Sequence, residues 1–339
     1  KKFRLQWILY FGLALGIVTC VFPYLALEIF EYLVLLVIIV VYRAMKRMNT
    51  KKKLVYTARV KRLLATELIL TAAVFALVCG LGGMKRIPGL CLILVSVNLF
   101  LDIVANVINH PMEAGINQHY INDAVRKLKS VPGLTVIGVT GSYGKTSVKF
   151  YLQTLLQEKY NVLVTPESFN TPMGVVRTIR GSLKPTTEIF VCEMGARHVG
   201  DIKEICDMVH PDHGVITSIG PQHLETFFNM ENIQKTKFEL ADALPEGGML
   251  FLNGDNDYIQ QQAASPAYDQ TPEKIFYYSE TEGTGYCAKD VKVSQLGTEF
   301  TVVTPDGESE RFQMRLIGAH NVINVVGAIA VAHRMGMTL

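Results

Sequence analysis

Four long apolar stretches dominate the first 110 residues of the chain. They are Leu5–Phe22, Tyr24–Tyr42, Leu63–Gly83 and Ile87–Ile108, and each contains at most two charged residues. As a helix, each is roughly long enough to cross a hydrocarbon layer of ~30 Å. The pattern therefore predicts a transmembrane region of four helices over residues 1–109. The alternative is a buried, wholly helical core domain.

Basic residues are unevenly distributed between these stretches. Loop 43–62 carries nine Lys or Arg residues and no acid, whereas only Lys85 and Arg86 separate the third stretch from the fourth. Because basic loops remain on the cytoplasmic side, this distribution predicts a multi-pass protein of the cytoplasmic membrane. The loop and all residues beyond 110 would then lie in the cytoplasm, and membrane lipid would be a partner of the loop.

Beyond residue 110 the apolar positions form shorter runs that alternate between strand and helix periods. Residues 110–133 are predicted to form an amphipathic connecting helix. The predicted strands are Leu134–Val139, Asn161–Thr165, Glu188–Cys192, Gly214–Ser218 and Gly247–Asn253, and the predicted helices between them are Ser147–Tyr160, Gly174–Arg180, Asp201–Val209 and Met230–Ala243. A linker at Gln260–Glu273, short strands at 275–279, 290–293 and 298–303, and a helix at Ile317–Met335 complete the chain. The alternation predicts an α/β fold with a mostly parallel sheet and helices on both faces.

Composition narrows the class of protein. Hydrophobic residues make up 49% of the chain, and the six cysteines include no C-x-x-C pair. Three of those cysteines fall in the apolar stretches, which argues against a disulfide framework and against a zinc site. No segment interleaves aromatic and basic residues, so nucleic acid is not expected as a partner.

The most informative polar segment follows the first predicted strand. Residues Thr140–Thr146 read TGSYGKT, and a helical pattern begins directly afterwards. Glycines allow backbone N–H groups to converge on phosphate oxygens, and the helix N-terminus adds a positive dipole. Val139 stands where the strict phosphate-loop pattern has glycine, so the match is to a shorter variant. Lys145 is placed to reach the outer phosphates, and the Thr146 hydroxyl is placed to ligate Mg²⁺.

Other predicted strands also end in polar residues. Glu193 follows the apolar run IFVC, and the loop after the next strand contains His223 and Glu225. In parallel sheets the chemistry lies at the carboxyl ends of the strands, so these residues are expected near the phosphate loop. Glu193 is then a candidate Mg²⁺ ligand, with a helix-capping acid as the alternative.

Five segments together resemble the Mur ligases. In chain order they are TGSYGKT at 140–146, CEMGA at 192–196, SIGPQHLETF at 218–227, KTKFEL at 235–240 and GAHNVINVVGAIAVA at 318–332. The resemblance covers residues 131–339 and implies a P-loop ATPase domain of Mur ligase type over residues 134–339. It also implies ATP and Mg²⁺ as cofactors.

The implied activity is an ATP-dependent ligase that forms amide bonds in the synthesis of peptidoglycan and cell-wall precursors. In this family ATP converts a carboxylate to an acyl phosphate, and an amine then displaces the phosphate. Positioning and charge neutralisation supply most of such catalysis. The implied partners are a cell-envelope precursor, nucleotide- or lipid-linked, and an amino acid or dipeptide.

The resemblance also implies roles for individual residues. Lys145, His223 and Lys237 would be catalytic, with Lys237 carried as a carbamate and with Lys235 as its rival in register. Mg²⁺ would be bound by Thr146, Glu193, His223 and the carbamate of Lys237. ATP would be bound by Thr140, Gly141, Ser142, Tyr143, Gly144, Lys145, Thr146, Ser147, Asn321 and Asn324, and Asn170 would face the substrate.

Two departures from the family leave other interpretations open. Soluble members begin with a UDP-binding domain where this chain has its apolar stretches, and they end with a second α/β domain that is expected to be absent after Leu339. The start at Lys1 also indicates a fragment. One alternative is a membrane-linked poly-γ-glutamate synthase. An alternative of another class is a non-catalytic ATP-binding module of a membrane complex, but the retained Glu193, His223 and Lys237 argue against it.

Overall fold

The computed structural model describes residues 55–82, 87–265, 275–280 and 285–339, together with residues 10, 13–18, 30, 33, 34 and 37. The chain divides into two compact units, Lys1–Asn117 and Gln118–Leu339.

The described part of the first unit is helical. Helix α1 spans Ala58–Gly82, and helix α2 spans Ile87–Lys129, with Pro111 inside it. Polar contacts join the two helices. Arg62 pairs with Glu113 at 2.6 Å, and the Asn109 amide donates to the Thr66 hydroxyl at 3.1 Å. Asn109 is buried, and its amide is satisfied by that contact.

Among the described residues, no helix combines the length and the apolar character needed to cross a membrane. The prediction of a four-helix transmembrane region is therefore wrong. The multi-pass membrane localisation derived from it is wrong as well, and the lipid contact predicted for loop 43–62 is not supported. The prediction counted apolar residues alone. In the structure α1 opens with basic residues, and α2 continues without a break into the polar sequence that ends at Lys129. The stretches Leu5–Phe22 and Tyr24–Tyr42 and the loop residues 43–54 lie largely outside the described residues.

The second unit is built on a mostly parallel sheet. Its strands are β1 (Thr135–Thr140), β2 (Val162–Val164), β3 (Ile189–Glu193), β4 (His213–Ile216), β5 (Met249–Asn253), β6 (Ile275–Ser279), β7 (Tyr286–Ser294), β8 (Gly297–Val303) and β9 (Ser309–Met314). Its order is β2-β3-β1-β4-β5-β6-β7-β8-β9. Pairing is parallel from β2 to β7 and antiparallel from β7 to β9.

Helices cover both faces of this sheet. They are α3 (Lys145–Leu156), α4 (Pro172–Ser182), α5 (Asp201–Val209), α6 (Leu224–Phe227), α7 (Met230–Asp242), α8 (Asp257–Ala263) and α9 (Ala319–Arg334). Side chains alternate across β1, so Ile137 packs with α3 and α9 while Val136 packs with α4 and α5. The predicted mixed α/β architecture with helices on both faces is confirmed for this unit.

Several predicted elements differ from the observed ones. The connecting helix does not begin near residue 110, because it is the continuation of α2. Helix α8 occupies part of the predicted linker, and its first turn is capped by the Asn256 side chain. Strand β9 was not predicted, because its residues, SERFQM, are largely polar and lie exposed at the sheet edge.

Candidate functional site

A cleft lies at the carboxyl ends of β1, β3 and β4. Its volume is ≈ 510 Å³, and its lining includes Lys145, Asn170, Gly195, His198, His223 and Lys237. Four of these six residues were predicted from the sequence as site residues, and they come from four separate segments. The strand order brings them together, because β1 lies between β3 and β4.

The glycine loop between β1 and α3 requires two unusual backbone conformations. Gly144 precedes the first turn of α3 with φ 82°, in the left-handed region. A Cβ atom there would lie 2.7 Å from Oδ1 of Asn324, and a Cβ atom at Gly141, where φ is 149°, would collide with Oγ1 of Thr217. Both glycines are therefore needed for close approach as well as for backbone freedom.

The loop is held in place by residues that follow β4. The Ser142 N–H donates to the Ser218 carbonyl at 2.7 Å, and the Tyr143 N–H donates to the Ser218 hydroxyl at 2.9 Å. The Gly220 N–H donates to Oγ of Ser142 at 3.1 Å. Sequence analysis did not single out Ser218, although it opens the segment SIGPQHLETF. Predicting this contact requires knowing that β4 is the neighbour of β1.

Lys145 folds over the glycine loop. Its ammonium donates to the carbonyls of Gly141 at 2.7 Å and Ser142 at 3.2 Å. Burial lowers the pKa of Lys145, and the negative charge of Glu193 opposes part of that effect. The cation is therefore close to the position that a bound phosphate would take, and carbonyl oxygens now satisfy its donors.

Glu193 ends β3 as a buried carboxylate with a full set of partners. Its Oε2 accepts from the Thr146 hydroxyl at 3.0 Å and from Lys149 Nζ at 2.9 Å. Its Oε1 accepts from the Asn170 amide at 2.9 Å. Only 1% of the residue is exposed, so these contacts replace the water that the charge has lost. Lys149 was not predicted as a site residue.

Lys237 lies on the buried side of α7 and lines the cleft. Only 2% of the residue is exposed. Burial, reinforced by the charge of Lys145, lowers the pKa of Lys237 to about 7. Lys235, its rival in register, is exposed on the opposite side of α7 and pairs with Glu231 at 2.7 Å. The structure thus places Lys237, and not Lys235, among the other predicted site residues.

His223 reaches the same cleft from a strained position. Its backbone is left-handed, with φ 56°, immediately before α6. Residues of segment 195–201, which sequence analysis did not assign to the site, also line this cleft. There Asp201 accepts from the backbone N–H groups of Arg197 at 2.7 Å and His198 at 2.9 Å. Asp201 therefore shapes a wall of the cleft.

The remaining predicted ATP-site residues lie in or near the glycine loop, with the exception of Asn321. Asn324 lies against Gly144, whereas Asn321 accepts from the Tyr151 hydroxyl at 3.4 Å, farther along α3. The Thr140 hydroxyl is committed to the fold, since it donates to the Met194 carbonyl at 3.0 Å. Ser147 is half-buried on the first turn of α3.

Three of the four predicted Mg²⁺ ligands, Thr146, Glu193 and the carbamate of Lys237, offer the oxygen that a hard cation prefers, whereas His223 offers nitrogen. Among the described residues, no three His, Cys, Asp or Glu side chains form a ready metal cluster. However, the Thr146 hydroxyl and the Glu193 carboxylate are adjacent at 3.0 Å, and both offer oxygen. A carbamate on Lys237 would add a further oxygen ligand from the other side of the cleft. Mg²⁺ also keeps several water ligands, so few protein ligands suffice.

The comparisons with known proteins agree with this geometry. Residues 139–332 match the family model described as the Mur ligase middle domain. The chain is 30% identical over 245 residues to the UDP-N-acetylmuramoyl-tripeptide–D-alanyl-D-alanine ligase of Escherichia coli K12, covering 69% of this chain and 52% of that protein. It is 35% identical over 209 residues to the Bacillus subtilis ligase of the same name, covering 60% and 42%. The chain thus spans about half the length of these relatives.

Solved structures show the same fold. MurF from Acinetobacter baumannii superposes with a TM-score of 0.59 at 25% identity, covering 66% of this chain and 48% of that one. MurF ligase from Thermotoga maritima, solved in complex with ADP, gives a TM-score of 0.57 at 27% identity, covering 66% and 50%. The motifs in the sequence had predicted a resemblance to this kind of ligase.

Proposed function

This chain belongs to the Mur ligase family, and on that premise we propose that it takes part in ATP-dependent amide-bond formation in peptidoglycan precursor synthesis. Its substrates are those named for its relatives, a UDP-N-acetylmuramoyl-tripeptide and D-alanyl-D-alanine. The observation that carries the proposal is the convergence of Lys145, Asn170, His223 and Lys237 at one cleft, where the Asn170 amide also donates to the buried Glu193 carboxylate. Four segments of the chain contribute these residues, and an accidental grouping of this composition at strand ends is improbable on physical grounds.

The glycine loop and Lys145 bind the nucleotide phosphates. The N-terminus of α3 points its free N–H groups and its dipole at the loop, which favours an anion there. When phosphate arrives, the Lys145 ammonium exchanges its two carbonyl contacts for phosphate oxygens. These contacts hold the terminal phosphate in line with the substrate carboxylate, which attacks phosphorus and releases ADP. The amine then attacks the acyl carbon, and inorganic phosphate leaves.

Lys237 is suited to carbamylation. Only a neutral amine adds to CO2, forming an N–C bond and releasing one proton to solvent. With a pKa of about 7, the amine of Lys237 is neutral in about half of the molecules at neutral pH. The product is a carbamate, an anion whose oxygens suit a divalent cation. Its negative charge is attracted by the nearby Lys145 ammonium, which repels the protonated form of Lys237. Mg²⁺, when bound, supplies charge neutralisation at the phosphate oxygens.

Phosphate release tests the proposed reaction. Purified protein is incubated with ATP, Mg²⁺ and UDP-N-acetylmuramoyl-tripeptide, with D-alanyl-D-alanine or glutamate as the amine. We expect phosphate release that requires both the tripeptide acceptor and the dipeptide. Release that depends on glutamate instead would favour a poly-γ-glutamate synthase. ADP binding without any release would favour a non-catalytic module.

Nucleotide binding is expected to depend on Lys145. Lys145→Ala removes a partly buried cation from the phosphate site, and charge-assisted contacts of this kind are the strong ones. We expect ATP affinity to fall about tenfold or more, equivalent to about 1.4 kcal/mol. Titration calorimetry measures the change, with Lys159→Ala, in the turn that follows the far end of α3, as a control. Equal ATP affinities in the wild type and Lys145→Ala would remove the phosphate-loop assignment.

A further inference from the structure

Lys149 is a fully buried lysine that the proposed reaction does not use. It lies one helical turn after Lys145 on α3, and none of its side chain is exposed. The other buried residues of α3 are apolar, and they pack against the sheet. Burying the charge of a lysine on such a face costs free energy unless its ammonium is paired.

The Lys149 ammonium has two partners on two other segments. It lies 2.9 Å from Oε2 of Glu193, at the end of β3, and it donates to the backbone carbonyl of Glu167. Glu167 has a left-handed backbone with φ 45°, a conformation that costs free energy in a residue with a side chain. Segment 165–171 also supplies Asn170, whose amide reaches Oε1 of the same carboxylate. One ammonium thus connects α3, β3 and segment 165–171.

The three contacts of Glu193 are not equivalent. Asn170 lines the cleft, and both Asn170 and Thr146 are only half-buried, so each keeps part of its surface exposed. Lys149 approaches the carboxylate from the protein interior, where no ligand can reach it. When a ligand enters the cleft, the Lys149 contact is the one that persists.

We propose that Lys149 is a positioning residue that fixes the Glu193 carboxylate and segment 165–171 for the binding of Mg²⁺ and nucleotide. Its charge balances Glu193 while the cleft is empty, and its two contacts fix the direction in which the carboxylate presents its oxygens. This inference rests on the proposed function, because it gives Glu193 a place in metal binding. Partners that orient a metal ligand commonly change metal affinity by about 10- to 100-fold when they are removed.

The test measures Mg²⁺ affinity by calorimetry at saturating ADP, without any turnover. Four proteins are compared: the wild type, Lys149→Met, Glu193→Gln and the double variant. We expect Lys149→Met to weaken Mg²⁺ binding about tenfold. We expect the double variant to lie within about twofold of Glu193→Gln, because Lys149 then has no carboxylate to position. Lys203→Met, which removes an exposed lysine paired with Asp207, is the matched control and should leave Mg²⁺ affinity unchanged.

The outcomes separate this inference from the proposed function. If the wild type shows no Mg²⁺-dependent ADP binding, the proposed function fails and this inference fails with it. If the wild type binds and Lys149→Met matches it within about twofold, only this inference is overturned. If the loss of Mg²⁺ affinity in the double variant equals the product of the two single losses, Lys149 acts independently of Glu193. That result would also overturn this inference. Should Lys149→Met not fold, Lys149→Arg replaces it, because the guanidinium keeps the positive charge but not the geometry of the ammonium. An Mg²⁺ affinity of Lys149→Arg equal to that of the wild type would then overturn the inference.

Discussion

Lys237→Ala is expected to lower the rate of ligation by about a hundredfold or more while ATP affinity stays within about threefold of the wild type. The expectation follows from the position of Lys237 in the cleft and from its pKa of about 7. If the carbamate formed from Lys237 and CO2 is the functional group, the variant loses an anionic metal ligand and not a cation. Phosphate release and calorimetric ATP binding measure the two quantities separately.

Rescue and pH dependence distinguish a carbamate from an ordinary lysine. Acetate or another short carboxylate should restore part of the activity of Lys237→Ala, because it supplies the missing oxygens. In wild-type protein depleted of CO2, reactivation at a fixed concentration of dissolved CO2 should increase with pH. The neutral fraction of a group with a pKa of about 7 rises from about a tenth at pH 6 to about nine tenths at pH 8.

Lys235→Ala is the matched control for Lys237→Ala. It removes an exposed lysine two residues earlier on the same helix, and its ion pair with Glu231 is a surface pair of small value. Its activity should remain close to that of the wild type. Normal ligation by Lys237→Ala together with loss in Lys235→Ala would shift the assignment by two residues. Normal ligation by both variants would contradict the carbamate mechanism for this chain.

Breaking the buried Lys149–Glu193 pair is expected to destabilise the second unit severely. Lys149→Met leaves the Glu193 carboxylate unpaired at 1% exposure and the Glu167 carbonyl without its donor. Removing one partner of a buried ion pair typically lowers the free energy of unfolding by about 3–5 kcal/mol. Urea denaturation followed by circular dichroism measures the change.

The double variant Lys149→Met/Glu193→Gln should recover much of that loss, because no charge remains unpaired in the interior. Lys203→Met controls for the loss of a lysine, and its exposed pair with Asp207 is worth about 1 kcal/mol at most. If Lys149→Met is no less stable than Lys203→Met, the ion pair is not buried in solution. A double variant less stable than Lys149→Met would show that the Glu193 carboxylate is stabilised by its contacts with Thr146 and Asn170 even without Lys149.

The glycine loop shows what local sequence can predict. The apolar run before Thr140 and the Gly-Lys-Thr after it fix a strand, a turn and a helix start within fifteen residues or so. Strand β1 and helix α3 occur there, although α3 begins at Lys145 and not at Ser147. Glu193 could be predicted as a candidate residue in the same way, because an acid at the end of an apolar strand is a local signal.

Ser218 and Lys149 show what local sequence leaves out. The contact of Ser218 with the glycine loop depends on the order of strands in the sheet, which no short pattern encodes. Lys149 did leave a signal, since it falls at a helical position shared with Leu152 and Leu156, on the buried side of α3. A lysine in an apolar stripe indicates a buried partner, but only the fold identifies that partner as Glu193.

The apolar stretches show where composition misleads. A window of apolar residues scores composition and does not show which of those residues the fold buries. The contacts of Arg62 with Glu113 and of Thr66 with Asn109 join α1 to α2 through polar groups that a count of apolar residues does not register. The partners in these two contacts are separated by 51 and 43 positions in the chain, and a sliding window does not compare residues so far apart.

The contact between the glycine loop and Ser218 also determines when the loop can take its final shape during translation. Tyr143 and Ser218 are 75 residues apart in the chain. A nascent chain that has released only β1 and α3 displays the glycines without the residues that shape them. Contacts this distant form late, after the entropy of closing a long loop has been overcome. The glycine loop of the emerging polypeptide therefore gains its contact with Ser218 only when β4 and Ser218 have left the ribosome.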